Sequence, residues 1–330
     1  MKVVIAGAGA LGSVLGGYFA IAGSDVTLIA RQPHAEAIHA RGLQIGGRRG
    51  PQIVRNLRAV IDPGEVGSAD LLIMCVKSQD NREALASLRH LRGKVGTAIS
   101  LQNGGRKDEE LADAFGWDAV VGATTIVGAT VPEPGHVLHT NDGSTWIGEF
   151  DGKPSARVEA IVKLFRMAEL PIEIRPDIRT AIWCKLNQMV PAATLSCVTR
   201  LCLHQIYLDR GLAALFVELS REVAQVAGRL GIPLADFRGF AVKMVCTLPF
   251  DEAVESVVAR GHAMREQGLT GVKISTLQDL ERGKRTEADE TIGHVVRLAA
   301  DLGVALPKLG LLYQIIRGLE SAQQASGSPP

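Results

Sequence analysis

The sequence opens with MKVVIAGAGALG, Met1 to Gly12, in which a short apolar run leads into closely spaced glycines. Residues 3–6 predict a buried strand, and the apolar residues after Gly12 predict a helix. Gly7, Gly9 and Gly12 form a G-x-G-x-x-G frame. In a strand–turn–helix these glycines permit the tight turn, the approach of a pyrophosphate and close helix–strand packing, respectively. The alternative is a glycine-rich turn between two packed elements. The predicted dinucleotide site comprises Gly7, Ala8, Gly9, Ala10, Leu11 and Gly12.

The composition predicts a globular chain of about two domains. It has 330 residues, of which 46% are hydrophobic, and 36 Lys and Arg against 35 Asp and Glu leave a net charge of +1. This balance gives no reason to expect nucleic acid or an anionic membrane surface as a partner.

No apolar run reaches the ~18 residues that a membrane-spanning helix needs. The first strand starts at once, so we expect no signal peptide and a cytoplasmic enzyme. The five cysteines form no C-x-x-C pair and have no matching histidines. They therefore predict reduced core thiols and no metal site. The sequence leaves a monomer and a homodimer open.

The residue after the second predicted strand distinguishes two nicotinamide cofactors. Residues 25–30 predict that strand, Arg31 follows it, and no acidic residue occurs before Glu36. NAD sites usually place an acid here for the ribose 2′-OH, whereas a basic group accommodates the 2′-phosphate of NADP. Arg31 therefore favours NADPH/NADP+, with an exposed arginine at a strand end as the alternative.

Two further apolar runs, residues 69–76 and 95–101, predict parallel strands that are buried on both faces. Lys77 follows the first run and Asn103 follows the second. Ligands of open parallel sheets bind beyond the carboxyl ends of the strands. We therefore expect the glycine loop, Arg31, Lys77 and Asn103 to face one crevice, although Asn-Gly is also a common turn dipeptide.

The pattern becomes β-rich between residues 119 and 148 and helical from residue 177. We expect the β-rich segment to contribute short antiparallel strands that complete the sheet, followed by a helix and a short strand before Pro176. Apolar residues then recur at steps of three and four. The further helices are predicted near residues 212–230, 235–247, 251–265, 286–302 and 308–320.

These patterns predict an α/β Rossmann-type N-terminal domain followed by an all-α C-terminal domain. We place the NADP-binding domain at residues 1–176 and the helical substrate domain at residues 177–322. A frayed tail is expected at residues 323–330.

Two stretches of the helical half contain charged residues that could act in catalysis or in helix capping. Lys185 stands within the apolar sequence IWCKL. Burial of an ammonium group is costly without a partner, so Lys185 is either a proton donor to a developing alkoxide or a lysine whose head reaches water. Thr286-x-x-Asp289 predicts a capping box at a helix start, with Glu287 in the first turn.

With these motifs the chain resembles the ketopantoate reductase (2-dehydropantoate 2-reductase) family over nearly its whole length. The resemblance implies a Rossmann-type domain, a helical domain and an active site in the cleft between them. It also implies NADPH-dependent reduction of 2-dehydropantoate to (R)-pantoate, a step in pantothenate biosynthesis. The matching pieces are GAGALG at 7–12, Arg31, Lys77, QNG at 102–104, IWCKL around Lys185, and STLQDLERGKRTEAD at 275–289.

The resemblance also implies roles for individual residues. Lys185 would donate the proton to the C2 oxygen, and Glu287 would position the cofactor ribose and the lysine head. Asn103 would contact both cofactor and substrate. Ser275 would bind the substrate carboxylate or hydroxyl, and Gly128 would lie beside the cofactor.

The chain departs from the family where the substrate should be held. Met189 and Ala193 occupy the positions four and eight residues beyond Lys185, where the family usually has asparagines, and a third family asparagine has no clear equivalent. Gln188 shares the helix face of Lys185 and could compensate, whereas Asn187 lies about 200° around the helix. The alternatives are therefore a reductase of a more apolar 2-oxo acid and a non-catalytic NADP(H)-binding regulator.

Overall fold

The computed structural model describes residues 1–326, and the side chains of residues 1–323. This chain divides into two compact units. The first comprises Met1–Gln102 and Arg106–Arg179, and the second comprises Asn103–Gly105 and the chain from Thr180 onward. The first unit is α/β with a parallel sheet and the second is predominantly helical, which confirms the predicted fold class.

The strands and helices of the first unit alternate over most of its length. The strands are β1 (Lys2–Ala6), β2 (Asp25–Ile29), β3 (Leu43–Gly47), β4 (Gln52–Val54), β5 (Arg58–Val60), β6 (Ala69–Met74), β7 (Val95–Ser100), β8 (Gly122–Thr125), β9 (Gly128–Glu133), β10 (His136–Asn141), β11 (Thr145–Gly148) and β12 (Ile172–Ile174). The helices are α1 (Ala10–Ile21), α2 (Gln32–Arg41), α3 (Asn81–Ser87), α4 (Lys107–Phe115) and α5 (Ala156–Met167).

A parallel sheet with the strand order β5-β2-β1-β6-β7 forms the centre of the first unit. Its central strands are apolar and buried, since both faces are covered. β2 and β6 lie on opposite sides of β1, so the order of the strands reverses there. Open α/β sheets bind ligands at such a reversal, outside the carboxyl ends of the strands.

The expectation that residues 119–148 complete this sheet is wrong for the strands of this segment, although Val120, just before β8, forms a parallel bridge with Ala98 of β7. These strands belong to two further sheets, β4-β3-β10-β9 and β12-β11-β8. The pairs β9–β10 and β8–β11 are antiparallel, as predicted, but β3–β10 and β11–β12 are parallel. The difference arises because β3 and β4 form a hairpin that the sequence pattern did not reveal. β10 pairs with the free edge of β3 in this hairpin.

Two buried histidines connect α1 to neighbouring elements of the first unit. Gly135 N–H donates to His34 Nδ1 at 3.0 Å, so His34 Nε2 carries the proton and lies 3.0 Å from Ser13 Oγ. His139 is fully buried and lies 3.2 Å from the Tyr18 hydroxyl. Burial lowers the pKa of both imidazoles, so both are neutral in the folded protein.

A buried ion pair joins β7, α4 and β8. Lys107 Nζ donates to Asp108 Oδ1 at 2.7 Å, and to the carbonyl oxygens of Ser100 and Ala123 at 3.2 and 2.8 Å. Lys107 and Asp108 are only 5% and 6% exposed. All the hydrogen bonds that an ammonium can donate are therefore satisfied inside the protein.

The second unit is built from helices, and α6 runs without a break through Pro191. The helices are α6 (Ile178–Thr199), α7 (Leu203–Leu208), α8 (Arg210–Arg229), α9 (Val242–Thr247), α10 (Phe250–Glu266), α11 (Ser275–Glu281), α12 (His294–Asp301) and α13 (Pro307–Ser326). A π-helical segment, Asp289–Gly293, leads into α12. No helix in the described part of the chain is long and apolar enough to cross a membrane.

One expectation for this unit needs correction. The helix predicted at 235–247 is confined to α9, because Gly239 (φ 100°) turns the chain between β13 (Asp236–Phe237) and β14 (Phe240–Ala241). The predicted tail begins inside α13, and its residues 327–330 lie outside the described residues.

The buried histidines predict that acid destabilises the protein. Below the ordinary histidine pKa of about 6.5, the unfolded chain binds protons that the folded chain does not. The free energy of unfolding should therefore fall as the pH drops from 7.5 through that value. His34→Gln should lower stability at neutral pH and flatten the pH dependence, as measured by urea unfolding. The exposed His262→Gln is the control and should leave the dependence unchanged; equal slopes for all three proteins would contradict the assignment.

The Lys107–Asp108 pair generates a second stability prediction. Lys107→Met should cost about 3–5 kcal/mol, because it leaves a buried carboxylate without its partner. Lys107→Met with Asp108→Leu should recover most of this loss, since an apolar pair of similar volume avoids the desolvation cost. Denaturant unfolding of these two variants and of Asp108→Leu alone measures the coupling. Additive losses would show that the pair does not interact as the structure indicates.

Candidate active site

The glycine loop has the backbone geometry that its sequence requires. Gly7 has a φ of 97°, in the left-handed region, and a Cβ there would overlap the backbone nitrogen of Val76. A Cβ at Gly12 would overlap the carbonyl oxygen of Gly7. At Gly9 a Cβ would have no neighbour within 4 Å. The loop is therefore tightly packed on its inner side and open at Gly9, the N-cap of α1, where helix N–H groups can bind an anion.

The loop lies beside the ends of β2 and β6. Ala8 N–H donates to the carbonyl of Ile29, at the end of β2, at 2.9 Å. Arg31 follows this strand and forms a 3.0 Å ion pair with Asp80, in the turn that starts at Lys77. The Arg31 side chain is 87% exposed. The structure thus brings the glycine loop, Arg31 and Lys77 to one edge of the sheet.

Gly128 lies in a different sheet of the first unit. It begins β9, in the four-stranded sheet, and pairs with Asn141 of β10. A Cβ at Gly128 would lie 2.8 Å from the Cβ of Asn141. Close packing between strands therefore accounts for this glycine by itself.

Lys185 and Asn103 are in direct contact within the second unit. Lys185 Nζ donates to Asn103 Oδ1 at 3.0 Å, across 82 residues of sequence. Lys185 is half-buried, and its neighbours Cys184 and Leu186 are buried in α6. The loop that carries Asn103 packs against His294 at Gly105, where a Cβ would overlap the His294 ring. The amide oxygen therefore fixes the direction of the lysine head.

Gln188, one turn beyond Lys185 on α6, is engaged by two side chains that the sequence analysis missed. Its Nε2 donates to the Tyr207 hydroxyl at 2.7 Å, and its Oε1 accepts from Arg260 Nη1 at 3.2 Å. Burial raises the pKa of Tyr207, and the nearby Arg260 opposes this shift. Neither residue belongs to a recognisable motif, so no local signal could have identified them.

Ser275 and Glu287 lie around one apolar core of the second unit. Ser275 is the half-buried first residue of α11, and Glu287 is 3% exposed. Their neighbours Leu277 and Ala288 belong to the same buried cluster as Leu186, next to Lys185. The core thus holds the backbone of all three predicted site residues.

The capping box predicted at Thr286-x-x-Asp289 is wrong in its second half. Thr286 Oγ1 accepts from the Ala288 N–H at 3.0 Å, as a cap would. The backbone N–H of Thr286 instead donates to Glu320 Oε1 at 3.3 Å, and Asp289 Oδ1 accepts from Arg297 at 2.8 Å. A carboxylate from α13 therefore replaces the reciprocal bond.

Comparison with known proteins gives one consistent family. The model of the family "Ketopantoate reductase PanE/ApbA" matches residues 3–152, and the model of its C-terminal domain matches residues 177–320. The 2-dehydropantoate 2-reductase of Pyrococcus abyssi is 32% identical over 98% of this chain and 99% of its own. That of Archaeoglobus fulgidus is 29% identical over 97% and 98%.

Solved structures agree on the fold. A PanE/ApbA family ketopantoate reductase from Ralstonia eutropha JMP134 is 31% identical, with a TM-score of 0.83 over 98% of this chain and 100% of its own. D-mandelate dehydrogenase, solved with NADH and anilino(oxo)acetate, has a TM-score of 0.85 at 21% identity over 98% and 99%. The chain belongs to the ketopantoate reductase PanE/ApbA family, whose members are oxidoreductases acting on a CH–OH or C=O group.

Proposed function

We propose that this protein catalyses the NADPH-dependent reduction of 2-dehydropantoate to (R)-pantoate, a step of pantothenate biosynthesis. The contact between Lys185 Nζ and Asn103 Oδ1 is the observation that carries the proposal. It joins two residues with implied roles at the reacting centre, although they are far apart in the sequence. The 2-dehydropantoate 2-reductases among the relatives supply the substrate hypothesis.

The proposed chemistry uses Lys185 as the acid. When bound, the nicotinamide supplies a hydride to C2 of the 2-oxo acid. The Lys185 ammonium donates a hydrogen bond to the C2 oxygen, stabilises its growing negative charge and transfers a proton to it. The C=O group gains one hydrogen on carbon and one on oxygen, and Lys185 recovers its proton from solvent. The hydrogen bond to Asn103 holds the Lys185 ammonium in its orientation. Ser275 would bind the substrate carboxylate or hydroxyl.

The first unit supports a dinucleotide at the glycine loop. The open side of Gly9 and the N-terminus of α1 suit a pyrophosphate. Arg31 is exposed enough to reach a ribose 2′-phosphate. Its pairing with Asp80 is a surface ion pair, which costs little to exchange for a stronger phosphate contact. Lys77 and Gly128 remain predicted cofactor contacts, and Glu287 a predicted contact of the ribose and the lysine head.

The role of Lys185 predicts a large loss of turnover in Lys185→Ala. Removal of one donor to a developing oxyanion typically costs on the order of 10² to 10³ in kcat. NADPH oxidation with 2-dehydropantoate and other 2-oxo acids measures this loss. Lys163→Ala, at an exposed site on α5, is the control and should retain full activity.

Three outcomes separate the alternatives. Unchanged turnover in Lys185→Ala would refute its role as the acid. Turnover of other 2-oxo acids alone would keep the mechanism and replace the substrate. Tight NADPH binding by the wild type without turnover of any 2-oxo acid would favour a regulator.

The cofactor preference depends on Arg31 and Asp80. Arg31→Ala should weaken NADPH binding by roughly 10- to 100-fold, the value of a hydrogen bond to a charged group, and leave NADH binding nearly unchanged. Asp80→Asn should strengthen NADPH binding, because it removes a competing carboxylate. Fluorescence titration measures both, with the exposed Arg92→Ala as the control. Equal losses for the two cofactors in Arg31→Ala would refute the 2′-phosphate contact.

A further inference from the structure

Arg260 is a half-buried cation on α10, close to the helix face that carries Lys185. Its Nη1 donates to Gln188 Oε1 at 3.2 Å, its Nη2 donates to the carbonyl of Gly239, and its guanidinium lies 5.5 Å from the centre of the Tyr207 ring. These three contacts come from α6, the β13–β14 turn and α7. Three elements of the second unit therefore contact this one guanidinium, which a fourth element, α10, carries.

The charge of Arg260 has no carboxylate to balance it in the described part of the chain. No Asp or Glu oxygen there lies within 4.0 Å of its guanidinium. By contrast, Arg210, which also contacts α10, forms an ion pair with Glu255. A guanidinium has five N–H groups, and the two protein acceptors, both neutral oxygens, leave donors for another partner. A half-buried charge without a counter-ion favours an anionic or strongly accepting ligand.

Gln188 orients Arg260. Its Nε2 donates to the Tyr207 hydroxyl, and this bond turns Oε1 towards Arg260. The reverse amide orientation would place an N–H group against the guanidinium, so the network permits one arrangement. The amide of Gln188 is thus used to hold Arg260, which means that Gln188 does not itself replace the missing asparagines.

The positions of those missing asparagines offer nothing polar. Ala193 is 1% exposed in the apolar core, and Met189 is half-buried against the same core. Gln188 lies one turn from Lys185, where side chains on a helix are neighbours, and Arg260 contacts its far end. Arg260 is therefore separated from the face that carries Lys185 by one side chain, that of Gln188.

We propose that Arg260 determines substrate specificity by binding an oxygen acceptor at the end of the 2-oxo acid distant from C1, with Gln188 as its positioning residue. This inference rests on the proposed reductase function and identifies the substrate class as 2-oxo acids that carry a terminal hydroxyl or carboxylate. An apolar 2-oxo acid would leave the guanidinium without its partner, and sites built to hydrogen-bond a polar group discriminate strongly against analogues that lack it.

The test compares three 2-oxo acids that differ at the distant end. 2-Dehydropantoate carries a hydroxyl there, trimethylpyruvate is the same molecule without that hydroxyl, and oxaloacetate carries a carboxylate. We expect the wild type to prefer an oxygen-bearing substrate to trimethylpyruvate in kcat/KM. Arg260→Met keeps the packing of the side-chain stem and removes the charge.

Arg260→Met should lower kcat/KM for the preferred substrate by about 10- to 100-fold, mainly through KM, and leave that for trimethylpyruvate unchanged. Activity on trimethylpyruvate also reports that the variant is folded. Arg260→Lys should restore part of the loss, since it returns the charge without the planar fork. Arg265→Ala, an exposed arginine on the same helix, should behave as the wild type.

The outcomes are distinguishable. A preference for oxaloacetate that Arg260→Met abolishes would support the inference and identify the acceptor as a carboxylate. Equal losses on all three substrates, or no loss, would overturn the inference while the reductase function stands. A wild type that is inactive on all three with NADPH would remove the proposed function and the inference together.

Discussion

The lack of a side chain at Gly7 and Gly12 is the constraint on which the arrangement of the first unit depends. A Cβ at either position would collide with backbone, of Val76 in one case and of Gly7 itself in the other. Because neither residue has a Cβ, the backbone can pack this closely, and α1 begins directly after β1 against the end of the central strand. Arg31 and the turn that starts at Lys77 then lie at the same edge, since their strands flank β1. The close packing of the backbone at these two glycines therefore positions this edge of the sheet.

In the second unit, two cationic side chains, Lys185 and Arg260, are held next to apolar helices. Lys185 and Arg260 each donate to an amide oxygen, of Asn103 and of Gln188 respectively. An amide oxygen satisfies a donor and fixes its direction without cancelling its charge. The positive charge of such groups remains available to an anionic ligand. The tightly packed core next to them limits the movement of the backbone that carries them.

Much of this architecture follows from local sequence. The glycine frame identified β1 and α1, and the continuous apolar runs at 69–76 and 95–101 identified β6 and β7, because buried parallel strands need apolar residues on both faces. The choice of partner between strands is not local, so the separate sheets of residues 122–148 were not predicted. Lys185 and Asn103 were singled out by their places in the sequence, and the family resemblance implied their roles. Their contact, however, spans 82 residues. Arg260 belongs to no motif, and only its contact with Gln188, 72 residues away, identifies it as a candidate site residue.

The grouping of Asn103–Gly105 with the second unit has a consequence for how this chain could be recombined with its relatives. A single crossover near residue 177 would exchange Lys185 but leave its acceptor, Asn103, and the loop glycine that fits against His294 with the other parent. Chimaeras made at that point would inherit a lysine and a loop that did not evolve together. Exchanging the three-residue loop together with the helical half would keep this native contact, so the segment to exchange is discontinuous in sequence.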